Sequence, residues 1–143
     1  MRFAVAALVI WSGIVPAADV SAEHIVGAWN IQDSNPTRVF GPIVISEKQI
    51  SWVSEDKHRC TVGYHIASEE AAPNFPGGLI KNDDAGVVYA TFKLELEHQD
   101  CERDIAFFTI AFTPEQLDLA HFAAFSAART AQGWGAIRRS TSG

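Results

Sequence analysis

Short runs of alternating apolar and polar residues recur along the chain. The longest alternation covers residues 88–97, and its apolar positions stand two residues apart: Val88, Ala90, Phe92, Leu94 and Leu96. A period of two puts such side chains on one face of a β-strand, with the polar side chains on the other. The pattern therefore predicts a strand with one buried face and one solvated face.

Further runs of the same character are separated by turn-forming residues. They cover residues 24–31, 39–45, 49–53, 58–66, 105–112, 117–121 and 134–138. Most of the connections between them are short, which favours antiparallel pairing of consecutive strands. About eight strands are enough to close a barrel, and closure removes exposed sheet edges. We therefore predict an all-β fold, an antiparallel up-and-down barrel of about eight strands.

Four segments depart from this rhythm. Gly41-Pro42 predicts a bend or bulge inside the second run. Residues 105–112 are apolar on both faces, so their outer face should be covered or should contact a partner. Residues 67–85 form a long connection rich in Pro, Gly and Asn, which we expect to lie over the mouth of the barrel. The Ala-rich residues 123–131 favour a short helix before the last strand.

The N-terminus has the form of a secretory signal. An arginine precedes an apolar run at residues 3–11, which is too short to anchor the chain in a bilayer. Small residues offer a preferred cleavage site after Ala22 and a second one after Ala17. We predict a signal peptide at residues 1–22, a single domain at residues 23–143, and secretion, into the periplasm of a bacterium.

The overall charge excludes some classes of partner. The 143 residues carry a formal net charge of −6, which disfavours nucleic acids and anionic membranes. Arg138-Arg139 is too small a basic cluster to follow a phosphate backbone. About 120 residues after the predicted signal suffice for one hydrophobic core.

Cys60 and Cys101 are the two cysteines of the chain. An even number in an exported protein predicts a disulfide. In the predicted meander the start of the fourth strand lies beside the end of the fifth, within reach of a bridge. Closing a loop of about 40 residues would stabilise the fold by around 4 kcal/mol. The alternative is a pair of free or metal-bound thiols.

Gly27-Ala28-Trp29 lies in the first predicted strand, and Arg138-Arg139 ends the last. With these residues the chain resembles the lipocalin-like, or calycin, barrels. In that group a Gly-x-Trp packs beneath the barrel under an arginine from the last strand. The resemblance implies that Gly27, Trp29 and Arg138 form this signature, with Arg139 as the alternative arginine. A Thr-Asp-Tyr motif of the family is absent. Bacterial inhibitors of metalloproteases and zinc-binding lipocalin-like proteins look similar.

The resemblance implies binding without catalysis. We predict a small hydrophobic or amphipathic ligand inside the barrel, although a barrel of this size can also be filled by its own side chains. The candidate ligand-binding residues are Trp52, Tyr64, Phe92, Leu94 and His121. The alternative is a small inhibitor or adaptor, of a protease or a lysozyme, that binds through loop tips or its acidic side.

Neither a metal nor a catalytic set is predicted. His58 and His98 flank the cysteines, so a metal carrier remains a further alternative, but the spacing of the histidines does not force ligands to converge. Glu95 and Glu97 should point outward rather than face each other across a cleft, as paired catalytic carboxylates must. The Gly-x-Ser-x-Gly motif of a nucleophilic serine is also missing. We therefore expect no enzyme and no cofactor.

Overall fold

The computed structural model describes residues 21–34, 38–72, 89–113 and 116–140. A short 3₁₀ helix, Ala22–Ile25, precedes the strands. The strands are β1 Gly27–Ser34, β2 Phe40–Ile45, β3 Gln49–Val53, β4 Arg59–Ala72, β5 Tyr89–Leu96, β6 Phe107–Thr113, β7 Gln116–Phe125 and β8 Ala131–Arg139. Within these described ranges no helix has the length and hydropathy needed to cross a membrane. Residues 1–20 of the predicted signal and residues 73–85 of the predicted long connection lie outside the described residues. The other part of that connection was predicted wrongly, because residues 67–72 continue β4 and pair with β5.

The eight strands form a closed barrel in sequence order. Every strand is antiparallel to its neighbours, and β1 pairs with β8, which places Trp29 opposite Arg139. The predicted fold class is therefore confirmed. The pairing of β2 with β3 shifts register between Phe40 and Val44, which confirms the irregularity expected at Gly41-Pro42.

The predicted helix at residues 123–131 is wrong. β7 continues to Phe125 and a turn at residues 126–130 leads into β8, with Arg129 at φ 67°. Ala120 and Ala124 face the core. Ala123 faces the outside of the barrel, where it packs in a separate cluster described below. Pairing on both sides, with β6 and β8, overrides the helix propensity of alanine, because intrinsic propensity is a weak preference that tertiary context outweighs.

Aromatic rings fill the inside of the barrel. The fully buried rings belong to Trp29, Trp52, Phe92, Phe108, Phe112 and Phe122. The rings of Trp52 and Phe108 lie 5.1 Å apart, and those of Trp29 and Phe112 lie 5.6 Å apart. The apolar face predicted for β5 is confirmed, since Ala90, Phe92 and Leu94 join this core.

A second cluster lies on the outer face of the sheet. Its buried members are Tyr89, Ala111, Ala123 and Phe125, and Phe107, Ala131 and Trp134 pack against them. These positions alternate with the inward residues of the same strands. The outer face of residues 105–112 is thus partly covered by neighbouring side chains, as its apolar character predicted.

Cys60 and Cys101 form the predicted disulfide, with their Cα atoms 5.7 Å apart. It joins β4 to the connection between β5 and β6. We call this end of the barrel the disulfide end. The 3₁₀ helix and Trp29 lie at the opposite end, where β1 begins.

Candidate functional site

Trp29, the tryptophan of the Gly-x-Trp, lies against the guanidinium of an arginine, and that arginine is Arg139. Its guanidinium carbon lies 4.3 Å from the centre of the Trp29 ring. The same group donates hydrogen bonds to the carbonyl oxygens of Val26 at 2.9 Å and His24 at 2.6 Å. Arg138 is exposed, so the assignment of the signature to Arg138 is corrected. The reason is register: Arg139, not Arg138, lies opposite Trp29 and shares its face.

Gly27 makes room for this arginine. Its φ is 144°, a conformation that side chains rarely adopt, and a Cβ atom there would lie 2.7 Å from Arg139 Nη1. Trp29 is held by a hydrogen bond as well, because its Nε1 donates to the carbonyl oxygen of Ile25 at 2.9 Å. The two ends of the described chain therefore meet around one buried indole.

The structure brings most of the predicted ligand residues into the core. Trp52, Phe92 and Leu94 are no more than 1% exposed, and Tyr64 is 7% exposed. Tyr64 donates its hydroxyl to the carbonyl oxygen of Ser46 at 2.7 Å, and burial raises its pKa. These side chains pack against other core residues and occupy space that an internal ligand would need. The buried Nε1 of Trp52 has no hydrogen-bond partner among the described residues.

His121 lies outside the barrel, which corrects the expectation that it points inward. Its neighbours Ala120 and Phe122 face the core, so alternation turns His121 outward. There its ring meets the edge of Tyr89, with ring centres 5.8 Å apart. Burial against this outer cluster lowers the pKa of His121, because desolvation penalises the charged imidazolium.

The lowered pKa of His121 predicts a loss of stability in mild acid. Below pH of about 6.5 the unfolded chain binds a proton that the folded chain resists, so stability falls as the pH falls. The slope from this residue is at most about 1.4 kcal/mol per pH unit. We expect His121→Gln to flatten the curve of unfolding free energy between pH 7 and pH 5, measured by urea denaturation. An unchanged slope would exclude this origin.

A groove of about 390 Å³ lies on the outer wall formed by β4 to β7. We call it the outer groove, and its lining includes Glu70, Thr91, Lys93, Phe107, Phe125 and Arg129. The rings of Phe107 and Phe125 are stacked, with centres 4.9 Å apart. Lys93 Nζ lies 4.4 Å from the centre of the Phe107 ring.

A buried hydroxyl also belongs to the outer groove. Thr91 is 6% exposed, and its Oγ1 has no hydrogen-bond partner among the described residues. A buried polar atom without a partner costs about 1–3 kcal/mol, so a ligand that supplied one would gain affinity. None of the residues of the outer groove was predicted from the sequence to bind a ligand. The sequence feature that could have indicated the groove is the run at 105–112, which is apolar on both faces.

Ion pairs at the disulfide end are centred on Arg38. Its guanidinium lies 3.4 Å from Glu55, 3.4 Å from Glu102 and 3.0 Å from Asp104, and its Nε donates to Gln132. Burial raises the pKa of Glu102, although Arg38 opposes this shift. One side chain thus connects several loops at this end.

The two histidines beside the cysteines have different surroundings. His98 is 93% exposed in its side chain, with Nε2 4.0 Å from an oxygen of Asp100. His58 instead lies against the sulfur atoms, with Nε2 3.4 Å from Cys101 Sγ. The structure therefore groups His58, and not His98, with the disulfide. Glu95 and Glu97 are exposed, as the strand pattern predicted.

No protein-family model, curated protein or solved structure matches this chain.

Proposed function

We propose that this barrel is a non-catalytic binding protein for a small amphipathic ligand, and that the outer groove holds the ligand. The ligand class is an aromatic or aliphatic body with one anionic group. The observation that carries the proposal is the stacked Phe107–Phe125 pair beside Lys93, with the hydroxyl of Thr91 buried and unpartnered in the same groove.

The groove offers each element that such recognition requires. Its volume of about 390 Å³ falls within the range of small-molecule sites. The stacked rings supply apolar contact, and Lys93 and Arg129 supply positive charge. Two carboxylates offset part of this charge: Glu70 in the groove, and Glu95, whose Oε2 lies 4.0 Å from Lys93 Nζ. Charge-assisted hydrogen bonds are about twice as strong as neutral ones, so a ligand with a carboxylate or sulfonate is favoured.

The inside of the barrel is a weaker candidate. The rings of Trp52, Phe92, Phe108 and Phe112 pack there with almost no exposed surface. A ligand would have to displace side chains from a close-packed core, which costs far more than filling a preformed groove. The closed barrel and the Trp29–Arg139 pair support a lipocalin-like relationship, and the disulfide supports action after export, since disulfides persist in oxidising compartments.

Binding of anilinonaphthalene sulfonate, an aromatic anion that fluoresces in apolar surroundings, tests this proposal. We expect Lys93→Gln to weaken binding about tenfold, because one charge-assisted contact is lost. Lys48→Gln, a change on the exposed β2–β3 turn, is the matched control and should leave affinity unchanged. Laurate should compete with the dye.

Thr91→Val separates binding from stability. The change removes the buried hydroxyl and keeps the shape of the side chain, so we expect equal or higher stability together with weaker binding. Urea denaturation and the dye titration measure the two effects. Affinity that is unaffected by Lys93→Gln and Thr91→Val, yet lost in Trp52→Phe, would assign the ligand to the inside of the barrel instead.

A protein inhibitor or adaptor is the second candidate, and it needs a contact surface. Phe40 and Val44, both on β2, are the large apolar side chains exposed in the described part of the chain, at 40% and 39%. Stable interfaces bury roughly 800 Å² on each partner. Two side chains supply only a small part of such an area, which favours the small-molecule proposal.

A further inference from the structure

His58 joins the two disulfide sulfur atoms in one compact group. Its Nε2 lies 3.4 Å from Cys101 Sγ and 3.9 Å from Cys60 Sγ. The three donor atoms all lie within 4.8 Å of one another. Cys60 is buried on β4, Cys101 is half-buried in the β5–β6 connection, and His58 comes from the β3–β4 turn. Two parts of the fold therefore meet at this point: the segment from the β3–β4 turn into β4, and the β5–β6 connection.

The other nitrogen of His58 has its own partners. Nδ1 lies 2.8 Å from Asp56 Oδ1 and 3.3 Å from the Ser54 hydroxyl. The Ser54 hydroxyl also donates to Asp56. A carboxylate beside Nδ1 favours the tautomer with its proton there, which turns the lone pair of Nε2 toward the sulfur atoms. Histidines that ligate metals are oriented in the same way.

We propose that Cys60, Cys101 and His58 bind one Zn²⁺ ion when the disulfide is reduced. An external dithiol supplies two electrons and two protons to the Cys60–Cys101 bond and becomes a disulfide itself. Each cysteine thiol then releases its proton to solvent as its sulfur binds the metal, and neutral His58 donates through Nε2. Water takes the fourth position of the tetrahedron.

The present distances from His58 Nε2 to the two sulfur atoms are compatible with replacing the disulfide by a bound Zn²⁺ ion. Zn–S bonds of about 2.3 Å and Zn–N bonds of about 2.0 Å require about 3.6 Å between sulfur and nitrogen in a tetrahedral site. The observed 3.4 and 3.9 Å bracket that value. After cleavage, side-chain rotation separates the two sulfur atoms to about 3.8 Å. The metal would then join the same two elements as the disulfide. This inference does not depend on the outer groove.

Cobalt(II) titration of the whole chain tests the site. The protein is reduced with a phosphine, which carries no competing thiol. We expect the reduced protein to bind one equivalent of Co²⁺ with a thiolate-to-metal charge-transfer band, and Zn²⁺ to displace it. The oxidised protein should show no band. His58→Gln should weaken binding at least tenfold, and Asp56→Asn by about tenfold or more. His98→Gln, in the exposed neighbouring histidine, is the matched control.

The test also gives a result if the protein unfolds when its disulfide is reduced. Near-ultraviolet circular dichroism follows the aromatic core in the same samples. Recovery of the folded signal on addition of Zn²⁺, present in His98→Gln and absent in His58→Gln, supports the proposal. Equal metal affinity in these two variants overturns it. So does the absence of a charge-transfer band in reduced wild-type protein, or a reduced chain that stays unfolded with Zn²⁺.

Discussion

Replacing Arg139 with alanine is expected to lower the free energy of unfolding by about 2–4 kcal/mol, whereas the same change at Arg138 should alter it by less than about 0.5 kcal/mol. Arg139 lies over the Trp29 ring and donates to the carbonyl oxygens of His24 and Val26. Its loss removes a cation–π contact and leaves those carbonyl oxygens without this donor. Arg138 is exposed, so water can take the place of its side chain in Arg138→Ala, and the free energy of unfolding should change little.

Urea denaturation of both variants measures the difference, and Arg139→Lys refines it. Lysine keeps the charge over the indole but lacks the planar fork of donors. We therefore expect Arg139→Lys to fall between the wild type and Arg139→Ala. Equal losses in Arg138→Ala and Arg139→Ala would contradict the role assigned to the guanidinium of Arg139.

Removing the disulfide is expected to cost about 4 kcal/mol. The bridged cysteines are 41 residues apart, and a crosslink over a loop of that length restricts the unfolded chain by this amount in the chain-entropy treatment. The double variant Cys60→Ala/Cys101→Ala tests the effect by urea denaturation. A loss below about 1 kcal/mol would show that the bridge constrains little.

The architecture followed from local patterns together with simple topology. Alternation along residues 88–97 identified β5 and its buried face, and consecutive antiparallel pairing placed Cys60 beside Cys101. The helix predicted at 123–131 is wrong because helix propensity describes the preference of an isolated segment. In the fold, β7 is paired with strands on both sides. Register explains the arginine: one residue of slip exchanges the inner and outer faces of a strand, and the pattern at the end of β8 did not fix it.

The candidate site was harder to predict for a geometric reason. Alternation shows that Trp52, Tyr64 and Phe92 face inward, but whether they line a hole or fill it depends on how the strands close. The outer groove combines side chains from β4, β5, β6, β7 and the β7–β8 turn. Such a set becomes visible only once the strands are aligned with one another. The run at 105–112, which is apolar on both faces, indicated this region of the sheet. It did not indicate that Lys93 and Arg129 lie beside it.

Gly27 and Arg139 have a consequence for how this barrel can vary. The guanidinium of Arg139 occupies the space next to Gly27 that a side chain would need. A Cβ atom at position 27 would lie 2.7 Å from Arg139 Nη1. The two positions are therefore sterically coupled across more than a hundred residues of chain. At φ 144° a side chain at position 27 is strained whatever space it has, and a shorter residue 139 would lose its contacts with Trp29, His24 and Val26. Shortening residue 139 should therefore relieve only the clash, and not the backbone strain, of a substitution at Gly27.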